Sequence, residues 1–540
     1  MFKTNNDHIQ QSLYESSEWM SPNVRTKLDK SWAPIFYNHV FCKINEEPFA
    51  VLYGKTGKPN FPVNIMLSLE YIKHMKNCND LELIEDFYFD YLVNYAVGVR
   101  TLGEKNLAER TLYYFRERIY GYCLENPNKE DLLFGQFNIL LQDFAKEAGI
   151  SMKEQRTDTM LFMSNIKKAG RISLAYDVLM KALKAVPACK LTIGLSEVLE
   201  PDFKTNMLYR TKPQESESKL EILLNLCKEA LDILKNAPEA AAEEEIRITE
   251  RFINEQSTIN ESNGKLIPKP NNEISASSLQ SAYDEEATYR FKSKKGHSGY
   301  VLEISETCGD ANPFQLITDY AVKANNINDA EILSERLETI KENTGCDDMY
   351  VDGGFHSEAV HQQAEANGIK MHLTNMSGTQ PTKKIPVTEF DIDEGTKTII
   401  KCPAGHSPIR TSICKGQTTA HFAHGACDSC PMRERCHSKK QVKGCVVRIS
   451  LKSISVGLER AKMKAHQLEN TSKRAGIEGS NSALKRKGMD KLNVRGIIKC
   501  DVVSGLKVTV QNIKRFIKYI RGGYAEKKVK LICQGVVAPI

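Results

Sequence analysis

Apolar residues recur with a helical period through the first 150 positions. In VNIMLSLEYIKHM (63–75), Ile65, Leu69, Ile72 and Met75 fall close to a 3.6-residue repeat, and Pro62 just ahead suits a helix start. DLELIEDFYFDYLVNYAVG (80–98) reads as a second helix with Asp80 as its N-cap. NLAERTLYYFRERIYGYCLEN (106–126) is a third, with a basic face, and DLLFGQFNILLQDFAKEAG (131–149) a fourth, closed by Gly149. Between them, YGKTGKPNF (53–61) looks phosphate-binding but lacks the P-loop spacing, and reads as a turn-rich loop. Residues 172–260 are helical again, with a break near Pro238 and an acidic second half, and 261–283 read as a polar linker.

From residue 284 the period shortens. GYVLEISET (299–307), FQLITDYAV (314–322), MYVDGGF (349–355) and IKMHLTN (369–375) read as strands, and 330–345 and 357–368 as helices. That alternation is an α/β layout. A helical region near 455–487 and a basic helix near 508–523 close the chain. The expected organisation is a helical N-terminal domain (1–150), which suits a DNA-binding module and a plain bundle equally well, an α/β core (151–171 and 284–395), a helical insertion with its linker (172–283), a Cys-rich insertion (396–450) and basic C-terminal helices (451–540).

Charge sharpens this picture. The net charge of +6 conceals +22 carried from Thr396 onward, against −16 on the residues before it. So basic a segment repels itself unless it meets an anion, and phosphate backbones are the usual partner. The cations expected to contact DNA are Arg474, Lys485, Arg486, Lys487, Arg495, Lys514 and Arg515. No apolar stretch approaches the roughly 18 residues of a membrane helix, and the polar N-terminus lacks a signal-peptide core. The expectation is a cytoplasmic protein with no membrane partner.

Fifteen cysteines are present. Cys42, Cys123, Cys189, Cys227 and Cys533 stand singly in apolar runs and read as free, buried thiols. Cys402, Cys427, Cys430 and Cys436 differ: a C-x24-C-x2-C-x5-C pattern suits a tetrahedral structural zinc, with Cys414, Cys445, His406 and His437 as possible replacements. Disulfides are the alternative, disfavoured in a cytoplasmic chain.

Candidate catalytic acids come from strand ends. Asp352 follows Met349-Tyr350-Val351 and precedes two glycines, and Asp158 interrupts the β-compatible run RTDTMLFMSNI. A lone acidic residue at a strand end is more often a cap or turn former. Arg474, Glu478 and Lys485 are spaced to share one face of a single helix. Such a face offers a metal-binding carboxylate between phosphate-binding cations, or an ordinary surface ion pair. Gly476 and Gly479 flank the acid, where they weaken a helix and could allow DNA or backbone to approach.

These residues also carry a resemblance. R-x3-E-x6-K, as Arg474, Glu478 and Lys485, resembles the tail of the Y-x2-R-x3-E-x6-K signature of bacterial insertion-sequence transposases with a DDE catalytic domain, with Thr471 in place of the tyrosine. IEGSNSALKRKGMDKLNVRG, YVDGGFHSEAV, RTDTMLFMSNI and DEEATYRFKSKKGHSGYVLEISET are similar to further blocks of that family, and GKTGKPNFPVNIMLSLEYIKHMKNCNDLELIEDF to its N-terminal helical domain. The resemblance implies an RNase H-like catalytic fold, split by a helical insertion after its first strand. It implies two Mg2+ (or Mn2+) ions held by Asp158, Asp352 and Glu478, with in-line attack on phosphorus. It further implies binding of double-stranded transposon ends and target DNA by a homodimer at the nucleoid. Two alternatives stand beside an active transposase: a related nuclease without strand transfer, and a decayed or domesticated DNA-binding copy.

Overall fold

The computed structural model describes residues 1–9, 15–127, 131–236, 242–292, 294–375 and 384–533, the side chains of 462 and 524–533 excepted. Pro238 and the thiol of Cys533 therefore lie outside the described residues. The chain divides into two compact units: Met1–Lys153, Thr157–Gly345 and Ile477–Ile540 in the first, and Glu154–Arg156 with Cys346–Gly476 in the second.

The N-terminal region is helical, as its apolar period requires. Helices α1 (Pro22–Asp29) and α2 (Ala33–His39) precede α3 (Val63–Lys76), α4 (Asp80–Phe89), α5 (Tyr91–Ala96), α6 (Glu109–Glu125) and α7 (Leu132–Ala148). The expected cap of α4 is corrected by one residue. Asn79 closes a capping box, accepting from the Glu82 N–H at 3.0 Å while Glu82 accepts from the Asn79 N–H at 2.8 Å. The expected helix 80–98 is two helices, because Asp90 leaves helical geometry and caps α5 by accepting from the Leu92 N–H at 2.9 Å. Gly149 ends α7 in the left-handed conformation, φ 64°, as expected.

Strand β1 (Glu154–Phe162) follows, then the helical insertion: α8 (Arg171–Ala185), α9 (Ile193–Val198), α10 (Pro201–Lys204), α11 (Ser216–Lys235) and α12 (Glu243–Gln256). It has its own core, with Leu179, Leu223, Leu224, Cys227 and Phe252 fully buried. The stretch expected to be a linker is instead part of this body. Strands β2 (Ser257–Ile259) and β3 (Leu266–Pro268) pair antiparallel, and Leu266, Leu279 and Ala282 enter the same core. These few apolar side chains are diluted in a polar composition, which is why the segment looks unstructured as a sequence.

Three antiparallel strands come next. β4 (Thr288–Lys292), absent from the sequence reading, forms a hairpin with β5 (Lys295–Thr307), and β5 pairs with β6 (Ile317–Ala324). β5 is also the neighbour of β1. Helix α13 (Asp329–Thr344) ends at Gly345.

In the second unit, β7 (Asp348–Val351), α14 (Glu358–Ala366) and β8 (Lys370–Leu373) alternate. The first residues of β1 pair in parallel with β7, Glu154 opposite Asp348 through Arg156 opposite Tyr350, and β7 pairs in parallel with β8. β9 (Asp391–Ile392) and β10 (Ile399–Lys401) form a small ribbon. β11 (Arg410–Cys414), β12 (Gln417–Phe422), β13 (Ser438–Gln441) and β14 (Gly444–Ser450) make an antiparallel sheet in the order β11-β12-β14-β13, with α15 (His424–Asp428) between β12 and β13. α16 (Leu451–Ala475) completes this unit.

The chain closes in the first unit with α17 (Ile477–Leu484) and α18 (Ile497–Cys533). α18 packs on α3, α6, α7 and β6. Phe516 stacks on Phe144 of α7, ring centroids 4.4 Å apart. Among the described residues no helix is long and apolar enough to cross a membrane.

Candidate functional site

Asp158 lies inside β1, half-buried among buried neighbours. Asn481 of α17 donates from Nδ2 to its Oδ2 at 3.1 Å. Glu478 is exposed and stands one helical turn before Asn481. Residues three apart on a helix share a face, so Glu478 lies on the face of α17 that carries Asn481.

Asp352 directly follows β7 and caps the short turn Gly353–Phe355, its Oδ1 accepting from the Gly354 N–H at 2.7 Å. The Arg474 guanidinium lies 3.7 Å from Oδ2. Gly353 makes this turn possible: a Cβ there would sit 2.7 Å from the Asn375 carbonyl oxygen, and its N–H donates to the Asn375 side chain at 2.5 Å.

The expected single helix through Arg474, Glu478 and Lys485 is three successive elements. α16 ends at Ala475, α17 covers Ile477–Leu484, and Lys485 opens a π-helical turn broken by Lys487 and Gly488. Gly476 makes room for protein rather than DNA. A Cβ there would strike the Arg156 guanidinium, which donates to the Lys473 carbonyl at 2.7 Å. Gly479 has open space where its side chain would be.

The expected DNA-contacting cations separate by environment. Lys485 and Arg486 are exposed. Arg495 is exposed, donates to the Asn165 carbonyl at 2.8 Å and stacks over Tyr283. Lys514 donates to the Met75 carbonyl at 3.0 Å. Arg515 is committed inward, to buried Glu306 at 3.0 Å and the Gln315 carbonyl at 2.9 Å. Lys487 donates to Gln511 at 2.6 Å and, with Lys73, His74, Arg116, Lys491 and Lys507, lines a cavity of about 350 Å3 between α3, α6 and the start of α18. Burial and the charges of Lys514, Arg515 and Lys507 push the Lys487 amine down to about 8. Lys73 and Arg116 are balanced by Asp80 and Glu70, whereas the charged groups acting on Lys487 are all cations. The sequence reading missed Lys73, Arg116, Lys491 and Lys507, which only the packing of distant helices assembles.

The cysteine pattern is gathered in the second unit. Cys402, Cys427 and Cys436 pack on the core beneath β12 and β14, and Cys430 lines the same small cavity. Burial and the neighbouring Cys445, Cys436 and Cys402 push the Cys427 thiol up to about 12. Cys445, an expected replacement, is thus beside Cys427. His437 donates from Nε2 to the Ile385 carbonyl, 2.9 Å away, while Cys414 and His406 are exposed. All four thiols of the pattern are free. So are the single cysteines described: Cys227 is buried as expected, but Cys42 and Cys189 are exposed, a correction that follows from their positions in a 3-10 turn and a short connecting turn.

Comparison with known families places two matches on the chain. The family described as Transposase DDE domain matches residues 401–517, which include the cysteine pattern and Glu478 and exclude Asp158 and Asp352. The family described as Transposase domain (DUF772) matches residues 33–118, from α2 into α6. No curated protein and no solved structure matches. Transposase families are thus matched in the N-terminal helices and again over residues 401–517, and the two matches together support an insertion-sequence DDE transposase.

Proposed function

We propose that the protein cuts and rejoins double-stranded DNA at the ends of its own element, using Asp158, Asp352 and Glu478 as one metal-binding set. The observation that carries this reading is the Asn481–Asp158 hydrogen bond, which ties the helix bearing Glu478 to the strand bearing Asp158. The reading is that of an RNase H-like core. Its support is the pairing of β6, β5 and β1 in the first unit and of β1, β7 and β8 in the second. The parallel register of β1 with β7 ends two residues short of Asp158 on one strand and of Asp352 on the other.

The donor set fits hard divalent ions. Carboxylate oxygens are what Mg2+ and Mn2+ prefer, and the Asp352 carboxylate is held for the purpose, one oxygen on the Gly354 N–H and the other toward Arg474. A bound Mg2+ pair supplies polarisation of the phosphoryl oxygens and an activated nucleophile. Water attacks phosphorus, the P–O3′ bond breaks, and the freed 3′-hydroxyl attacks a target phosphodiester in its turn. Lys485, Arg486 and the cationic cavity at Lys487 hold phosphates of the strand being processed, while Arg474 orients Asp352. The cysteine group, with Cys445 added, is the candidate to hold a structural Zn2+, which would keep its thiols as thiolates. A homodimer bringing two element ends together completes the reading.

The test is cleavage and joining of an element-end duplex in Mg2+. Asp352→Asn is expected to lower both by at least roughly 10^3-fold, because the three acids act as a unit. Undiminished cleavage by Asp352→Asn overturns the assignment, and cleavage without joining of a 3′-hydroxyl end to target DNA reduces the activity to that of a nuclease.

A further inference from the structure

In the second unit, three side chains from separate segments converge away from the cysteines. His356 follows the turn Gly353–Phe355, His361 lies on α14 and Glu459 on α16. One nitrogen or oxygen from each lies within 4.8 Å of those of the other two. His356 stands in the middle, its Nδ1 3.2 Å from His361 Nε2 and its Nε2 3.3 Å from Glu459 Oε2. All three residues are half-buried.

The Glu459 oxygen is the informative atom. It is shielded from water, yet it accepts no hydrogen bond from any described residue, because the nearby imidazole is not aligned to donate. A buried acceptor left without a donor carries an uncompensated desolvation cost, larger when it is charged. A cation among the three residues removes that cost. A tetrahedral ion with ligands at about 2.0–2.2 Å sets its ligand atoms roughly 3.3–3.6 Å apart. The three donors, within 4.8 Å of one another, therefore need to close by roughly 1.5 Å at most.

Ligand chemistry fixes the class of ion. Two imidazoles and one carboxylate form an N,N,O set that suits zinc and its transition-metal neighbours, whereas Mg2+ prefers oxygen alone. His361 and Glu459 also line a cavity of about 470 Å3, shared with His372 and His466, so the fourth position faces open space. The site thus has three protein ligands and one open position.

We propose that His356, His361 and Glu459 bind one divalent ion of the zinc class, which clasps α14 to α16 and keeps a water-filled coordination position. Only Gly353–Phe355 separates Asp352 from His356. The ion thus fixes the far end of the turn that Asp352 begins. The site stands on its own donors and does not depend on the DNA-cutting reading.

The experiment is equilibrium dialysis of the metal-stripped full chain against Zn2+, with elemental analysis. His361→Ala and Glu459→Gln are each expected to remove one bound ion per chain or to weaken it by at least about 10-fold. A Cys427→Ser/Cys430→Ser chain is expected to keep that ion, and to lose it when His361→Ala is added. Zn2+ bound with undiminished stoichiometry and affinity by both His361→Ala and Glu459→Gln overturns the proposal, as does a folded cysteine-substituted chain that binds none. If the cysteine-substituted chain does not fold, the two single variants in the native-cysteine chain decide alone. Strand cleavage is not read in this experiment, so its outcome is separate from that of the Asp352→Asn test.

Discussion

A missing side chain holds Asp352 in place. The turn it starts needs Gly353, where any Cβ would press on the Asn375 backbone. Gly353→Ala is expected to lower stability by about 1–3 kcal/mol, the cost of overpacking, and to lower cleavage with it. An unchanged melting temperature would show that the turn can open. A second residue-scale effect belongs to Asp501 on α18. Burial and the facing Asp131 carboxylate push it up to about 7, with Arg336 and Lys323 opposing. Its folded value exceeds its unfolded one, so its contribution is fully present below about pH 4 and is lost as the pH rises through 7. Asp501→Asn should flatten the fall in stability between pH 5 and 8, by roughly 2 kcal/mol at pH 8. Urea midpoints at the two pH values measure it, and parallel curves for both chains would contradict it. Neither effect is legible in the sequence, because each depends on a partner more than 20 residues away.

At the scale of elements, the sheet β11–β14 has three thiols of the cysteine pattern packed on the core beneath it. Cys427→Ser is expected to remove any zinc held by the thiols and to expose 402–450 to protease while α3 to α7 stay protected. Limited proteolysis with and without chelator checks this, and equal cleavage patterns would make the thiols mere core residues. Elements with a strong period were legible: α3, α6, α7, α13 and β5 appear within a few residues of their expected bounds. Those decided by tertiary pairing were not. β4 is short and mostly charged or polar, with only its hairpin to β5 to define it. The helix expected through Arg474 and Lys485 was broken by glycines whose effect depends on Arg156 and the Lys487 turn. The acids at 158 and 352 were legible as strand-associated carboxylates. The two histidines and Glu459 were not, since nothing in their spacing announces a shared place.

For the whole molecule, charge is the property that reaches furthest. A C-terminal portion carrying +22 should bind DNA with an affinity that falls by about 0.9 decades per decade of salt for each phosphate neutralised. Filter binding between 50 and 200 mM salt, roughly the range over which such effects are large, reads the slope, and a flat response would remove this portion as the DNA surface. The asymmetry was visible in the sequence. Its concentration at a cavity with Lys487 and Lys507 was not, since α3 and α6 supply the other walls.

The helical insertion between β1 and β4 seals its own interior. A spliced-in body of that kind can grow, shrink or be exchanged among related elements while the strands on either side keep their alignment. It is therefore the natural place to graft a reporter or a tether without disturbing Asp158, Asp352 or Glu478.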